Sequence, residues 1–193
     1  MSTLEQKKKK LDELAKKINA CQLCPLYQGT TNSVPGEGNP NAEILFIGEG
    51  PGKKEDELGR PFVGAAGKLL EALLQHIGLT RNDVFIANVV KHRPPGNRDP
   101  LPEEVAACWP YLQKQVEIIA PKIIVLLGRH SLARFLPELA IGKAHGKTFK
   151  KGNLVYYPMY HPAAALYNGS LREVMFQDAA KIPVILKKIS KTS

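Results

Sequence analysis

Residues 44–74 read ILFIGEGPGKKEDELGRPFVGAAGKLLEALL, and this stretch decides the fold. An apolar run leads into a loop of glycine and proline, acidic residues follow, and a helix with leucines along one face completes the segment. Open α/β sheets build ligand pockets in this way, at the carboxyl end of a strand. We therefore expect a pocket directly after the apolar run, with acidic residues on its rim.

The rest of the chain alternates between strand-like and helical patterns. Strands are predicted at residues 43–47, 84–90, 122–127 and 154–159. Helices are predicted at residues 3–20, 65–77, 102–119, 131–136 and 171–189. This alternation indicates an α/β fold with a parallel sheet and helices on both faces, and the length suits a single domain over residues 1–193. We also expect a loop at residues 25–42, a kink at Pro110 and an interruption of the last helix at Pro183.

The chain carries a surplus of positive charge. With 27 Lys and Arg against 18 Asp and Glu, the formal net charge is +9. This surplus favours an anionic partner such as nucleic acid, and a lysine-rich solvated surface explains it as well. The first residues lack the apolar core of a secretion signal, and no apolar stretch approaches the roughly 20 residues that span a bilayer. We expect a cytoplasmic protein with no membrane partner and no disulfide framework.

Polar side chains stand near the ends of the predicted strands. Glu49 and Glu55 follow the first strand, Asn88 lies near the exit of the second, and His161 follows the fourth. Because the carboxyl ends of parallel strands meet at one edge of a sheet, these groups predict one cleft with an acidic wall and a histidine wall. Two of these residues have equally good structural explanations. His161 could be a hydrogen-bonded structural histidine, and the Asn88 amide could tie down a loop. His130, after the third strand, is assigned a structural role.

The glycine-rich loop at residues 48–54, GEGPGKK, does not have the spacing of a nucleotide-binding loop. A P-loop needs four residues between its glycines and a hydroxyl residue after its lysine, and the Rossmann pattern would place its last glycine at Lys53. Nucleotide binding of either kind is therefore disfavoured.

Three cysteines and one histidine predict a metal site. Cys21 and Cys24 form a CxxC pair, Cys108 lies in a predicted helix, and His92 precedes that helix. This set of thiols and imidazole could bind zinc or an iron–sulfur cluster. A reduced CxxC pair together with a separate core cysteine is the equal alternative.

Taken together, these motifs resemble the iron–sulfur uracil-DNA glycosylases known as family 4. The resemblance runs in order from residue 4 to about residue 182. It rests on Cys21-x-x-Cys24, GEGPG at residues 48–52, Glu55-Asp56, GRPFVGAAGKLL at 59–70, NVVK at 88–91, RPPGNRDP at 93–100, Cys108 and His161-Pro162. It implies a three-layer α/β/α sandwich around a central four-stranded parallel sheet. It also implies hydrolysis of the bond between uracil and deoxyribose in DNA.

The resemblance assigns roles to individual residues. Phe62 would stack on a uracil flipped out of the DNA, Asn88 would bind its Watson–Crick edge, and His161 would donate a hydrogen bond to O2. Stabilising the departing uracil in this way makes His161 the first catalytic candidate. Glu49 is the second, because it or a backbone carbonyl would position the attacking water, and Asn88 is the third, through its contact with the base.

Further positions complete the expected binding surface. Gly48, Glu49 and Gly50 would line the base and sugar side of the pocket, and Glu55 would stand near uracil C5, where thymine carries its methyl group. Related enzymes carry Asp or Asn in place of Gly50, so catalysis is expected to depend mainly on the leaving group. Leu166 or Tyr167 would fill the gap left in the base stack. Backbone amides near Gly52 and at residues 128–131 would contact phosphates.

The resemblance also implies a [4Fe–4S] cluster, held by Cys21, Cys24, His92 and Cys108, that ties residues 1–24 to the core. The family has a fourth cysteine where this chain has His92, and histidine does replace cysteine on iron in Rieske centres. Three outcomes follow from this departure: a [4Fe–4S] cluster with three cysteines and His92 as ligands, a labile cluster, or a three-iron form. We expect uracil-containing DNA, single- or double-stranded, as the partner of a monomer in the nucleoid. The sequence leaves open whether a sliding clamp also binds. The alternatives are a non-catalytic uracil- or DNA-binding module on the same fold, and an RNA- or nucleotide-binding protein.

Overall fold

The computed structural model describes residues 3–192, and it describes side chains through residue 191. Six strands form one sheet: β1 (Glu37–Gly38), β2 (Ile44–Gly48), β3 (Phe85–Asn88), β4 (Ile123–Leu127), β5 (Phe149–Lys151) and β6 (Leu154–Met159). Their order across the sheet is β1-β3-β2-β4-β6-β5. The four central strands are parallel, and they correspond to the four strands predicted from the sequence.

The predicted strand number was wrong, because β1 and β5 add an antiparallel strand at each edge. β1 has two residues and β5 has three, so neither carries a recognisable apolar pattern. Each forms because a neighbouring strand offers it hydrogen-bond partners. For the same reason, residues 25–42 are not all loop: β1 lies within them, and residues Pro25–Tyr27 form a short 3₁₀ turn.

Eight α-helices surround the sheet: α1 (Leu4–Asn19), α2 (Lys53–Leu58), α3 (Ala65–His76), α4 (Pro102–Ile119), α5 (Gly128–Phe135), α6 (Ile141–Ala144), α7 (Pro162–Tyr167) and α8 (Ser170–Thr192). Pro110 lies inside α4, and Pro183 lies inside α8 without interrupting it, which corrects the prediction. Residues Met175, Ala179 and Ile182 of α8 are buried against the sheet, and such packing can offset the loss of one backbone hydrogen bond. None of the described helices combines the length and the apolar character needed to cross a membrane.

The sheet is buried on both faces, as expected for parallel strands that read as continuous apolar runs. In β2, Leu45 and Ile47 pack on one face, which α4 covers with Leu112. Ile44 and Phe46 pack on the opposite face, against the leucines of α3. These two layers confirm the predicted α/β/α class.

The strand order places a crevice at the carboxyl edge of the sheet. The chain passes from β2 to β3 on one side and then crosses to β4 on the other side of β2. At such a reversal the loops after neighbouring strands separate, and ligands bind between them. Gly48 and Asn88 are paired in register at the ends of β2 and β3, so both residues lie at this edge.

Candidate active site

A cavity of about 230 Å³ lies at the carboxyl edge of the parallel strands. Its lining residues come from the ends of β2 and β3 and the loop after β2, from α2, from the loops at residues 59–64 and 93–101, and from the starts of α3 and α7. They are Glu49, Gly50, Pro51, Gly52, Glu55, Phe62, Ala66, Asn88, Pro94, Asn97, Arg98, Asp99, His161 and Ala163. The structure therefore brings together six of the seven predicted base-binding residues, and Gly48 lies directly beside them.

Gly48 has no side chain and so leaves space for the Asn88 amide and the Phe62 ring. A Cβ atom at this position would lie 2.4 Å from Asn88 Oδ1 and 2.6 Å from Phe62 Cζ. Both distances are shorter than real Cβ contacts, so any side chain here would displace the amide and the ring. Glycine is needed at this position to leave space, since its backbone lies in an ordinary strand.

Asn88 presents an unsatisfied acceptor. The residue is 1% exposed at the end of β3. Among the described residues, Asn88 Oδ1 is the only buried side-chain nitrogen or oxygen without a hydrogen-bond partner. An unpaired buried acceptor costs about 1–3 kcal/mol, so its presence in a cavity wall indicates that a ligand supplies the donor.

His161 is held as a neutral hydrogen-bond donor. It caps the amino end of α7, where its Nδ1 accepts a hydrogen bond from the Ala163 amide at 3.1 Å. Burial lowers the pKa of the imidazole to about 4, and the nearby Glu55 carboxylate offsets this only in part. The ring is therefore neutral at pH 7, and because Nδ1 accepts, its single proton is on Nε2.

Phe62 is held in a strained backbone conformation. Its φ is +52°, in the left-handed region that costs a residue with a Cβ about 1–2 kcal/mol. The ring centroid lies 5.6 Å from that of His161, at an interplanar angle of 32°. A Cβ at Gly67 would lie 1.9 Å from the Phe62 carbonyl oxygen, so the first turn of α3 approaches the loop as closely as glycine allows. Strain of this kind persists only where the surrounding structure fixes it.

Glu55 anchors the loop that carries Phe62. One of its carboxylate oxygens, Oε1, accepts hydrogen bonds from the backbone amides of Val63 and Gly64, both at 2.8 Å. Glu55 also lines the cavity. Its predicted proximity to uracil C5 stays a prediction. Gly64 is the N-cap residue of α3, and the same carboxylate therefore also satisfies a donor at the start of that helix.

Glu49 is a carboxyl group with an elevated pKa. Burial and the nearby Asp99 carboxylate raise the pKa to about 7, and the guanidinium of Arg129 lowers it in part. His130 Nε2 lies 3.7 Å from Glu49 Oε2 and 3.2 Å from Asp99 Oδ2. A carboxyl group that titrates near pH 7 is suited to accept a proton from water at physiological pH.

Sequence reasoning missed the groups around Glu49. His130 received only a structural role, and Asp99 and Arg129 received none. The loop that carries Asp99 is held by Glu104, whose carboxylate is 1% exposed and accepts from both terminal nitrogens of Arg98, at 2.8 and 2.6 Å. Asp99 reaches Glu49 only through this loop, so sequence spacing gave no signal for the contact.

The three cysteines lie near one another, on the side of the sheet covered by α4. The pKa of Cys108 is raised to about 11, mainly by burial; Lys91 opposes this rise, and the nearby Cys24 and Cys21 thiols add to it. His92 is 5% exposed, and the nearby Asp56 carboxylate interacts with its imidazole. Burial also lowers the pKa of His92, which leaves a neutral imidazole with an available lone pair.

This set is spread more widely than the ligands of a single ion. Zinc–sulfur bonds of about 2.3 Å would bring tetrahedral ligands within about 4 Å of one another. Within the described part of the chain, the only group of three ligating residues whose atoms all lie within 4.8 Å is Glu49, Asp99 and His130. The role of the three cysteines and His92 as ligands of a metal cluster stays a prediction.

The predicted base-stack wedge is exposed. Leu166 and Tyr167 lie on α7, the helix that His161 begins, and they are 50% and 93% exposed. Exposed side chains on this helix are available to DNA, and their insertion stays a prediction. The expected phosphate contacts of Gly52 and residues 128–131 also stay predictions.

Comparisons with known proteins agree with this geometry. A family model described as the uracil DNA glycosylase superfamily matches residues 35–182. A type-4 uracil-DNA glycosylase of Sulfurisphaera tokodaii is 50% identical over 182 residues, which cover 89% of this chain and 83% of that protein. A type-4 enzyme of Archaeoglobus fulgidus is 47% identical over 194 residues, with 94% and 96% covered. A type-5 uracil-DNA glycosylase of Thermus thermophilus is 29% identical over 174 residues, with 74% and 78% covered.

Proposed function

This chain is a uracil-DNA repair glycosylase that belongs to the type-4 enzymes of the uracil-DNA glycosylase superfamily, and from that premise we propose its reaction. The enzyme flips uracil out of DNA and hydrolyses the N-glycosidic bond, giving free uracil and an abasic site. One observation carries the proposal: Phe62, Asn88 and His161, from distant parts of the chain, line one cavity. The unsatisfied acceptor of Asn88 supports a ligand that brings its own donor.

Base recognition uses the amide and the ring. Extruding a nucleotide costs a few kcal/mol, of which stacking on Phe62 returns about 1–3 kcal/mol. Asn88 Oδ1 accepts from uracil N3–H, and its amide nitrogen donates to O4. Cytosine presents the opposite pattern and would leave buried polar groups unpaired, a mismatch that can discriminate by about 10⁴.

His161 stabilises the leaving group. As the bond between C1′ and N1 breaks, its electron pair moves onto the uracil ring, and negative charge accumulates at O2. The Nε2–H of the neutral imidazole donates a hydrogen bond to O2, and this bond strengthens as the charge grows. Removing one such preorganised donor typically costs about 3–4 kcal/mol of transition-state stabilisation.

Glu49 orients the attacking water. Gly50 has no side chain with which to hold a water molecule, whereas the Glu49 carboxylate lines the same cavity. With a pKa of about 7, the group is substantially ionised at neutral pH and can accept the proton that the water loses as it bonds to C1′. The base departs as an anion that the His161 donor stabilises, while the Glu49 carboxylate takes the proton from the water.

A [4Fe–4S] cluster is the proposed resident cofactor, with Cys21, Cys24, Cys108 and His92 as its ligands. Hydrolysis transfers no electrons, so the cluster would supply a structural link and no redox chemistry. Cys21 and Cys24 follow α1, and Cys108 belongs to α4, so the ligands would join the amino-terminal helix to the sheet layer. His92 is the residue that distinguishes this chain from the family's four-cysteine set.

DNA binding is consistent with the charge of +9, and we expect the affinity for DNA to fall as the salt concentration rises.

The reaction is tested with a single-stranded oligonucleotide that carries one uracil, incubated with enzyme and then treated with alkali. Strand cleavage together with free uracil is the expected result, and an otherwise identical thymine oligonucleotide should remain intact. A shifted but uncleaved oligonucleotide would instead identify a non-catalytic binding module.

A further inference from the structure

Arg81 holds the loop that carries Phe62 from the side opposite Glu55. Its Nη1 donates a hydrogen bond to the Phe62 carbonyl oxygen at 2.9 Å, and its Nη2 donates to the carbonyl oxygen of Pro61. Its Nε and Nη2 also donate to Glu37 Oε1, at 2.9 and 2.6 Å. The guanidinium therefore joins the edge strand β1 to the two consecutive carbonyls at the strained turn.

The turn is fixed from both sides. Glu55 accepts from the two amides that follow Phe62, and Arg81 donates to the carbonyls of Pro61 and of Phe62 itself. The phenyl ring makes no hydrogen bonds, so its position depends on apolar packing, including the His161 ring at 5.6 Å, and on the backbone that carries it. A backbone at a φ of +52° relaxes when its anchors are removed, and the ring then moves with it.

Glu37 in turn fixes Arg81. Burial alone would raise the pKa of the Glu37 carboxyl, but hydrogen bonds from Arg60 and Arg81 outweigh burial and hold the pKa below its usual value. The Arg81 side chain is 14% exposed, whereas that of Arg60 is 57% exposed. Both arginines pair with the same carboxylate; Arg60 lies in the Phe62 loop itself, and Arg81 donates to the carbonyls of that loop from outside it. Glu71, whose Oε1 lies 3.7 Å from Arg81 Nη1, is a second and exposed partner of Arg81 and provides a control.

We propose that Arg81, held by Glu37, is a positioning residue that sets the ring of Phe62 against the flipped uracil and so determines how tightly the base is bound. This inference rests on the proposed stacking role of Phe62. In this role Arg81 differs from an ordinary surface ion pair, which contributes little to stability and does not contact the site.

The experiment is a double-mutant cycle on the full-length enzyme. Arg81→Met, Phe62→Ala and the double variant are compared with the parent in kcat/KM on the uracil oligonucleotide and in inhibition by free uracil. We expect Arg81→Met to reduce kcat/KM by about 10- to 100-fold and to weaken uracil inhibition, because a shift of about 1 Å in a positioned group can cost about 100-fold. In the Phe62→Ala background, Arg81→Met should cost less than about threefold, since there is no ring left to position.

Two further variants exclude a general structural effect. Glu71→Gln removes the weaker, exposed partner of Arg81 and should leave kcat/KM and uracil inhibition within about twofold of the parent. Arg81→Lys keeps the charge beside Glu37 but cannot reach both carbonyls, so it should fold with a thermal midpoint close to the parent's and still bind free uracil weakly. It replaces Arg81→Met in the cycle if that variant does not fold.

The outcomes separate the inference from its premise. A large loss in Phe62→Ala with an equal, additive loss from Arg81→Met in both backgrounds would overturn the positioning role alone. Parental kcat/KM in Phe62→Ala would overturn the stacking role, and the inference with it. Unchanged uracil inhibition in a folded Arg81 variant would also overturn the positioning role.

Discussion

Replacing Gly48 with alanine tests the base pocket by adding one methyl group. The new Cβ would lie 2.4 Å from Asn88 Oδ1 and 2.6 Å from Phe62 Cζ, and ordinary contact begins at 3.4 Å. The amide must therefore move by about 1 Å and the ring by slightly less. A displacement of about 1 Å at a positioned group can reduce the rate by about 100-fold. Overpacking should also lower the free energy of unfolding by about 1–3 kcal/mol.

The measurement is single-turnover excision from the uracil oligonucleotide, with thermal unfolding monitored in parallel. Gly142→Ala is the control, because a Cβ at Gly142 meets only the Tyr160 hydroxyl, at 3.8 Å, in the short helix α6. We expect the control to excise uracil at the parental rate and Gly48→Ala to be about 100-fold slower while still folded. A folded Gly48→Ala enzyme with a rate within threefold of the parent would refute the argument that Asn88 and Phe62 must both stay in place.

Three further predictions concern ionisable and ligating groups. The excision rate should rise with pH through about 7, since Glu49 must be ionised to accept a proton, and a pH–rate profile of Glu49→Gln should lack that rise. His161→Leu should lower the single-turnover rate by about 10²–10³-fold. Because the His161 pKa is near 4, a histidine limb at 6.5 in the pH profile of Glu49→Gln would contradict a neutral donor. His92→Cys should slow the loss of visible cluster absorbance on dilution in air, and equal bleaching of the two proteins would argue against His92 as a ligand.

The fold could be predicted wherever burial leaves a pattern in the sequence. The four parallel strands are apolar runs because both of their faces are covered, and the amphipathic spacing of α3 was enough to identify its buried side. The edge strands β1 and β5 could not be found, because two or three residues carry no period and become strands only by pairing. The interruption at Pro183 was predicted from the local effect of proline alone, whereas the packing of α8 keeps the helix continuous around this residue.

The site could be predicted in part for a similar reason. Asn88 and His161 stand at strand ends, and the parallel topology brings such positions to one edge without any detailed modelling. The residues that hold or tune the site were not predictable. Glu37 meets Arg81 across 44 positions, and Asp99 reaches Glu49 through a folded loop. Those contacts depend on the relative placement of separate elements, which no local motif encodes.

The buried side chain of Lys91 supports the backbone of Asn88, one of the predicted site residues. The side chain is 1% exposed, and its Nζ donates to the Asn88 carbonyl oxygen at 2.8 Å and to Gln115 Oε1 at 2.7 Å. Gln115 belongs to α4, the helix that also carries Cys108, so one buried side chain connects the cysteine side of the sheet to the backbone of Asn88. In the sequence, Lys91 was only part of a motif, because a lysine is normally expected on the surface.

One physical cause shapes the two ionisable groups proposed for the chemistry. Burial is the main reason that the pKa of His161 falls to about 4 and the main reason that the pKa of Glu49 rises to about 7. Removal from water disfavours whichever form is charged, so one enclosed cavity moves a base and an acid in opposite directions. The imidazole stays fully neutral and donates without losing a hydration shell, while the carboxyl group stays close enough to neutrality to exchange a proton. Enclosing the base therefore does more than exclude competing water, since it also sets the protonation states that the hydrolysis requires.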